Sequence, residues 1–228
     1  MVYTRPVAII MPVYNCIQCV TAAITSIILN TKYPFKLIII ESESTDGTAE
    51  VVDDYARIFE QIVVYHTKKE GLISALNFGI KMAGDLDVYI TQSDVIIPRL
   101  YNRDWLAHLV RIRNSVNNVG LITTIRGGGI SGDTYLKDLM WVGTWSMYIP
   151  RETINKIGVF DTEFNPGCGD DIDYSYRVYN AGLSILEADF WVDHHRTGEH
   201  FNENQKIIDK HALYFRKKHK LGEFKDVK

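Results

Sequence analysis

The sequence predicts an α/β fold: a mostly parallel central sheet flanked by helices on both faces. Three observations predict it. Continuous apolar runs of strand length begin near residues 7, 35, 61 and 87. Segments with apolar residues at helical spacing separate these runs. Each strand-like run stops abruptly in polar or acidic residues, as strands do at the rim where open α/β sheets take their ligands.

In the first half, Val7-Ala8-Ile9-Ile10-Met11 is suited to a central strand covered on both faces. Pro12 is expected to end it, because proline cannot donate to a ladder. Ile17, Val20, Ile24, Ile27 and Ile28 place a helix over 16–30. Phe35 to Ile40 forms a second strand, ending in the polar loop Glu41-Ser42-Glu43-Ser44-Thr45-Asp46-Gly47-Thr48. Val51, Val52, Tyr55, Ala56 and Phe59 mark the next helix, residues 61–66 a third strand, and Leu72, Ala75, Leu76, Gly79 and Ile80 a third helix. The fourth strand, 87–91, runs into Gln92-Ser93-Asp94. The strand ends thus gather Tyr14 and Asn15, Glu41 and Ser44, and Gln92 to Asp94 at one rim. No G-x-G-x-x-G follows the first strand and no G-K-[ST] occurs, so neither a dinucleotide fingerprint nor a P-loop is present.

The chain has 228 residues, 46% hydrophobic and 23% charged, with a net charge of -3. That suits a soluble globular protein and gives no reason to expect nucleic acid as a partner. No apolar run reaches the roughly 20 residues needed to span a bilayer. Three cysteines, an odd number, argue against a disulfide framework and fit a cytoplasmic chain. Cys16-Ile17-Gln18-Cys19 is a C-x-x-C. Zinc would want four ligands, so the pair is read as structural, on a helix face.

The second half is less regular. Trp105, Leu109 and Ile112 suggest a helix, and Val119 to Thr123 a strand. Arg126 to Asp133 is glycine-rich and reads as a plain flexible loop, with a lid over a site as the alternative. Trp141 to Ile149 reads as one strand with aromatic residues at its start, and Pro150 opens a short helix. Leu183 to Glu187 and Phe190 to Val192 are two last strand pieces. Residues 203–220 form a tail helix ending in Arg216-Lys217-Lys218-His219-Lys220. This reads as a solvated turn complementing the helix dipole, with attraction to an anionic membrane as the lesser option.

Three places carry chemistry. Asp94, at a strand's carboxyl end, can hold a divalent metal and through it a diphosphate, or can simply cap the next turn. Asp170, Asp171 and Asp173 begin a helix, where acids serve as caps; adjacent acids also repel one another, and such groups are where a base is poised. His194 and His195 follow a strand, and in a chain with a metal-competent aspartate the pair can supply a ligand.

Six segments carry a resemblance. Ile10-Met11-Pro12-Val13-Tyr14-Asn15 ends a strand in P-x-Y-N. Ile39 to Thr48 is similar to a strand followed by D-x-x-S-x-D-G-T, with Glu41 at the first acid. Gly71 to Ile80 follows G-x-x-x-A-x-N-x-G. Gln92-Ser93-Asp94 stands at a D-x-D, Gly169 to Asp173 at a G-E-D-x-D, and His194 after them. In this order and spacing, over residues 7–195, the chain resembles the family 2 glycosyltransferases, inverting enzymes of the GT-A fold.

The resemblance implies one GT-A domain over 1–228. A nucleotide-sugar-binding half would cover about 1–96, an acceptor and catalytic half about 97–200, and a helical tail 201–228. Pro12, Tyr14, Glu41 and Ser44 would hold the base and ribose of a UDP- or GDP-sugar, with Gln92, Ser93 and Asp94 completing the donor site. Asp94 and His194 would bind Mn2+ or Mg2+. Asp171 would be the general base toward the acceptor hydroxyl, Asp170 would orient acceptor or base, and Trp145 would lie near the acceptor. The acceptor would be a glycan, a lipid-linked sugar or a protein, and membrane contact at most peripheral. Two departures stand out: Gln92 replaces the first acid of D-x-D, and Glu41 is one methylene longer than the usual Asp. A nucleotidyltransferase would carry a Gly-rich, Arg/Lys-bearing signature after the first strand, which Pro12-Val13-Tyr14-Asn15 lacks. A non-catalytic nucleotide-sugar-binding module is the remaining alternative.

Overall fold

The computed structural model describes residues 5–130, 140–195 and 205–221. Its first half alternates strand and helix: β1 (Val7–Val13), α1 (Ile17–Asn30), β2 (Phe35–Glu41), α2 (Thr48–Ile58), β3 (Ile62–His66), α3 (Leu72–Met82), β4 (Val88–Thr91) and the short β5 (Val95–Ile96). The second half follows with α4 (Trp105–Ser115), β6 (Val119–Thr124), β7 (Gly128–Ile130), β8 (Met140–Val142), β9 (Ser146–Ile149), α5 (Arg151–Ile157), a 3-10 turn (Thr162–Phe164), α6 (Asp170–Asn180), β10 (Ser184–Ala188), β11 (Asp193–His194) and α7 (Gln205–Lys218).

Seven strands form one sheet in the order β10-β6-β9-β4-β1-β2-β3. All pairs are parallel except those of β9, which runs antiparallel to both β4 and β6. The alternating residues of β1 explain why it is central. Ile9 and Met11 enter one apolar cluster with Val20, Ile24 and Trp105, while Ala8 and Ile10 enter another, on the opposite face, with Ile73, Leu76 and Tyr174. A strand covered on both sides has no polar face to offer, hence the unbroken apolar run.

Several expectations need correction. β1 continues through Pro12 to Val13, because its pairing with β4 stops at Ile10 and the missing N–H falls where that neighbour has left. Residues 141–149 are two strands, since the turn closed by Ser146 N–H on the Gly143 carbonyl at 3.1 Å separates β8 from β9. The glycine-rich stretch is partly ordered as β7, which pairs with β8; residues 131–133 lie outside the described residues. Phe190 to Val192 is not a strand: the pairing begins at Asp193, against β5. Cys16 and Cys19 form a disulfide, with Cα atoms 5.6 Å apart, because Cys16 caps α1 and Cys19 lies in its first turn. The basic end of α7 is not simply solvated. Lys218 and His219 turn inward onto Asp173, at 2.7 and 2.8 Å, and Arg216 is buried. Among the described residues no helix is long and apolar enough to cross a membrane.

The two halves are joined at α3. Asn77 donates through Nδ2 to the Phe160 carbonyl at 2.8 Å and accepts the Phe160 N–H at 2.9 Å. Asn165 Oδ1 accepts the Ile73 N–H at 3.0 Å, and its Nδ2 donates to Ser74 Oγ at 2.8 Å. Gly71 must be glycine here. Its φ is +98°, and a Cβ would stand 2.6 Å from Asn165 Oδ1. Phe160 is buried, so losing Asn77 strands two polar backbone groups. Asn77→Ala is expected to lower stability by about 2–3 kcal/mol, read from the urea midpoint, whereas Asn117→Ala on the surface should stay within about 0.5 kcal/mol.

Candidate active site

The rim at the carboxyl ends of β1, β2 and β4 is assembled by hydrogen bonds between loops. Asn15 N–H donates to Ser44 Oγ at 3.0 Å, and Thr45 N–H donates to Asn15 Oδ1 at 2.8 Å. Cys16 N–H donates to Thr48 Oγ1, and the Asp46 carboxylate accepts from Ile17 and Thr48, all at 3.0 Å. Cys16 Sγ, in the disulfide, lies 3.8 Å from the Ser93 carbonyl, in contact with the segment after β4. Pro12, Tyr14, Ser44 and Ser93 therefore belong to one partly exposed rim, as their spacing predicts. Lys69 Nζ stands 3.4 Å from the centroid of the Tyr14 ring.

Glu41 sits lower than expected and is 3% exposed. Its Oε1 accepts the Ser44 N–H at 2.6 Å and its Oε2 meets His66 Nδ1 at 3.0 Å. Burial alone would raise this carboxyl, but the bonds from Ser44 and His66 hold it below the usual range. The extra methylene relative to Asp lets the carboxylate reach both the loop amide and the neighbouring strand.

Asp94 is buried, and its position is set by strand pairing. β5 and β11 run antiparallel with Val95 opposite His194, and His195 N–H donates to the Asp94 carbonyl at 3.0 Å. This brings His194 Nε2 to 3.5 Å from Asp94 Oδ1, although the two residues are a hundred positions apart. From α1, Ser26 Oγ accepts the Ile97 N–H and Asn30 donates to the Ile97 carbonyl, which fixes the segment after Asp94. Trp145 stacks on the His194 ring at 5.3 Å, and Trp141 meets Trp145 edge-on at 5.9 Å. Trp145, expected near an acceptor, thus lies against the His194 ring. Gln92 is part-exposed.

Among the described residues no group of three or more His, Cys, Asp or Glu side chains gathers as a complete metal cage. A carboxylate oxygen and an imidazole nitrogen at this separation nonetheless suit an ion such as Mn2+, whose other positions would be left to ligand and water oxygens. The residues present fit such a group.

The acidic motif is held by α3 and β8. Leu72 N–H, at the start of α3, donates to the Pro166 carbonyl at 3.2 Å, and Val142 N–H on β8 donates to Ser175 Oγ on α6 at 3.0 Å. The three acids differ sharply. Asp173 is wholly buried and turned away into Arg177 at 2.8 Å, Lys218 and His219. Burial would raise it, but these cationic partners hold it below its usual range. Asp170 is 4% exposed, and its Oδ2 has no hydrogen-bond partner among the described residues. Burial first, then the charge of Asp171, pushes it well above the usual carboxylate range. Asp171 is more open, and burial pushes it up to about 6 even though Ile172 N–H donates to it at 2.8 Å.

The G-x-x-x-A-x-N-x-G pattern marked Asn77 without assigning it a role, and no pattern marked Asn165 or His66. The only local signal for His66 was its place as the last residue of a strand, beside a loop that carries acids.

Comparison with known proteins supplies the context. The profile described as Glycosyl transferase family 2 matches residues 8–168, more than half of the chain. An uncharacterized glycosyltransferase of Rickettsia typhi is 30% identical over 121 residues, covering 53% of this chain and 36% of that protein. EpsJ, an uncharacterized glycosyltransferase of Bacillus subtilis, is 31% identical over 98 residues, covering 42% of this chain and 28% of its own length. The matched stretch thus spans about a third of these curated relatives. Among solved structures, the mannosyltransferase PcManGT of Pyrobaculum calidifontis, in complex with GDP-Man and Mn2+, superposes with a TM-score of 0.73 at 20% identity, over 98% of this chain and 67% of that one. TarS 1-349 of S. aureus, in complex with UDP-GlcNAc, gives 0.70 at 16% identity, over 97% and 68%. These likenesses fix the fold as GT-A. The chain belongs to glycosyl transferase family 2.

Proposed function

We propose that the chain transfers a sugar from a UDP- or GDP-sugar to an acceptor hydroxyl on a glycan, a lipid-linked sugar or a protein, with inversion. The observation that carries this reading is two acidic stations of different character: Asp94 beside His194 just after β4, and Asp171 with a raised carboxyl at the start of α6. One pair suits the leaving diphosphate and the other acid suits the incoming hydroxyl. Asp94 and His194 would hold a divalent ion, Mn2+ or Mg2+, which when bound neutralises the charge that develops on the nucleoside diphosphate. Pro12, Tyr14 and the Ser44 loop would seat the base and ribose, and Gln92 and Ser93 would line the donor beside Asp94. Asp171 takes the proton of the attacking hydroxyl as that oxygen bonds to the anomeric carbon and the bond to phosphate breaks. In-line displacement from the opposite side inverts the centre. Asp170, whose carboxyl burial and the Asp171 charge hold well above the usual range, would orient base or acceptor.

A thermal-shift panel of UDP, GDP, dTDP and CMP, each with Mn2+ and with EDTA, tests the reading. Stabilisation by one nucleoside diphosphate that disappears in EDTA is expected, and no shift with any nucleotide would sink it. Asp171→Asn should lower transfer by about 10²–10⁴-fold while nucleotide affinity stays within about twofold. Asp94→Asn should weaken metal-dependent nucleotide binding by about 10–100-fold in calorimetry. The base must be ionised, so kcat/KM should fall on the acid side of about pH 6, with Asp171 setting that limb. Asp170 has its folded value raised, so the folded state holds this proton more tightly and stability is lost as pH rises. Asp170→Asn should therefore raise the thermal midpoint more at about pH 8 than at about pH 5.

A further inference from the structure

His66 ends β3, the edge strand, directly opposite Glu41 in the β2–β3 register. Its two ring nitrogens face two carboxylates: Nδ1 lies 3.0 Å from Glu41 Oε2, and Nε2 lies 3.0 Å from Asp53 Oδ1. A neutral imidazole has one N–H and would turn a lone pair toward one of these acids; only the imidazolium donates to both. Glu41 is the last residue of β2 and Asp53 lies in the second turn of α2, so the ring bridges the two ends of the loop 42–47. The far side of that loop is tied to the end of β1 through Ser44, Thr45 and Asp46. The titratable groups facing the ring are Glu41 on β2 and Asp53 on α2. Across the same loop the Glu43 carboxylate accepts the Lys69 N–H at 3.1 Å, and Lys69 Nζ covers Tyr14.

We propose that His66 is a positioning residue for the nucleotide: as an imidazolium it clamps the loop that seats the base, and nucleoside diphosphate binding weakens when it loses its proton. This rests on the functional reading above, which places the base at Tyr14 and the Ser44 loop. The sign follows from the partners. Hydrogen bonding to Glu41, then to Asp53, raises the His66 value against the opposing effect of burial. The clamp is therefore complete below its usual titration range and is lost as pH rises through the raised folded value. The proton leaves to solvent, Glu41 loses its Oε2 partner, and the Ser44 turn that Glu41 holds through Oε1 loosens with it. The effect is moderate, because the His66 and Asp53 side chains are 52% and 41% exposed and solvent screens that half of the bridge.

The test is calorimetric titration of UDP and GDP in Mg2+ from about pH 6 to about pH 8.5, on the wild-type chain, His66→Gln and Asp53→Asn. The phosphate's own titration is common to all three, so the difference between profiles is read. Wild-type affinity should fall about fivefold more across the range than that of His66→Gln, whose side chain does not titrate. Asp53→Asn should move the inflection to lower pH. Thermal midpoints without nucleotide provide the companion measurement: the advantage of wild type over His66→Gln should be largest at the acid end. Parallel affinity profiles for wild type and His66→Gln overturn the inference, even where the midpoints diverge, since the clamp would then be structural alone. Failure of wild type to bind any nucleoside diphosphate at every pH overturns the functional reading and the inference together.

Discussion

The pair of hydrogen bonds between Asn77 and the backbone of Phe160 is the constraint on which the rest of the site depends. A parallel sheet brings its own strand ends to one edge, so Tyr14, Ser44 and Asp94 gather without further help. The acidic helix α6 leads into β10 beside β6, and Val142 of β8 binds its Ser175, but the loop before it needs a further anchor. That task falls to α3, whose first turn binds Asn165 and Pro166 and whose second holds Phe160. A side-chain amide is suited to this, because it offers a donor and an acceptor to the carbonyl and N–H of one buried residue. Gly79 adds the close approach of the helix to the sheet, with no room for a Cβ beside Ile10.

The electrostatics separates three neighbouring aspartates into three conditions. Asp173 spends its charge on Arg177, Lys218 and His219 and fastens α7 over the acidic motif. Asp170 is buried away from compensating charge, and Asp171 is only partly covered. Helix geometry does this sorting. Positions 170, 171 and 173 point about 100° and 200° apart around one turn, so a single acidic run meets the core, a partly open surface and the tail helix in succession. His211 of α7 completes the arrangement by meeting the Cys168 carbonyl at 2.9 Å, where the backbone passes through three successive residues of positive φ.

The sheet was legible because buried parallel strands have little freedom in composition: Val7 to Met11, Phe35 to Ile40 and Val88 to Thr91 could hardly be anything else. Helix periodicity located α1 to α3 for a similar reason. The failures have physical causes. Pro12 was misjudged because the rule against proline assumes a neighbour on each side, and β4 had already departed. Phe190 to Val192 carries strand-forming residues, but pairing begins only where β5 is available. The proximity of Asp94 and His194 follows from a two-residue antiparallel pairing, which leaves no periodic trace; the resemblance to a known family supplied it. The Glu41–His66 pair was invisible because cross-strand register is a property of two segments together and is written in neither alone. The basic tail misled because Lys218 and His219 look solvated until Asp173 is placed beneath them.

The reversed direction of β9 has a consequence for how such a chain can vary. Because β9 runs against β4 and β6, the chain leaves the sheet at the end of β6 and re-enters it at the start of β9 on the same edge. The two points are stitched together: Gly143 N–H donates to the Gly127 carbonyl at 2.7 Å, and the hydroxyls of Thr124 and Ser146 lie 2.8 Å apart. Whatever lies between Gly127 and Gly143 is an excursion closed at its neck. Change within it, outside β7 and β8, leaves the register of β6 and β9 untouched. The fold thus carries a built-in point of diversification, at which recognition can change by insertion and replacement without renegotiating the core.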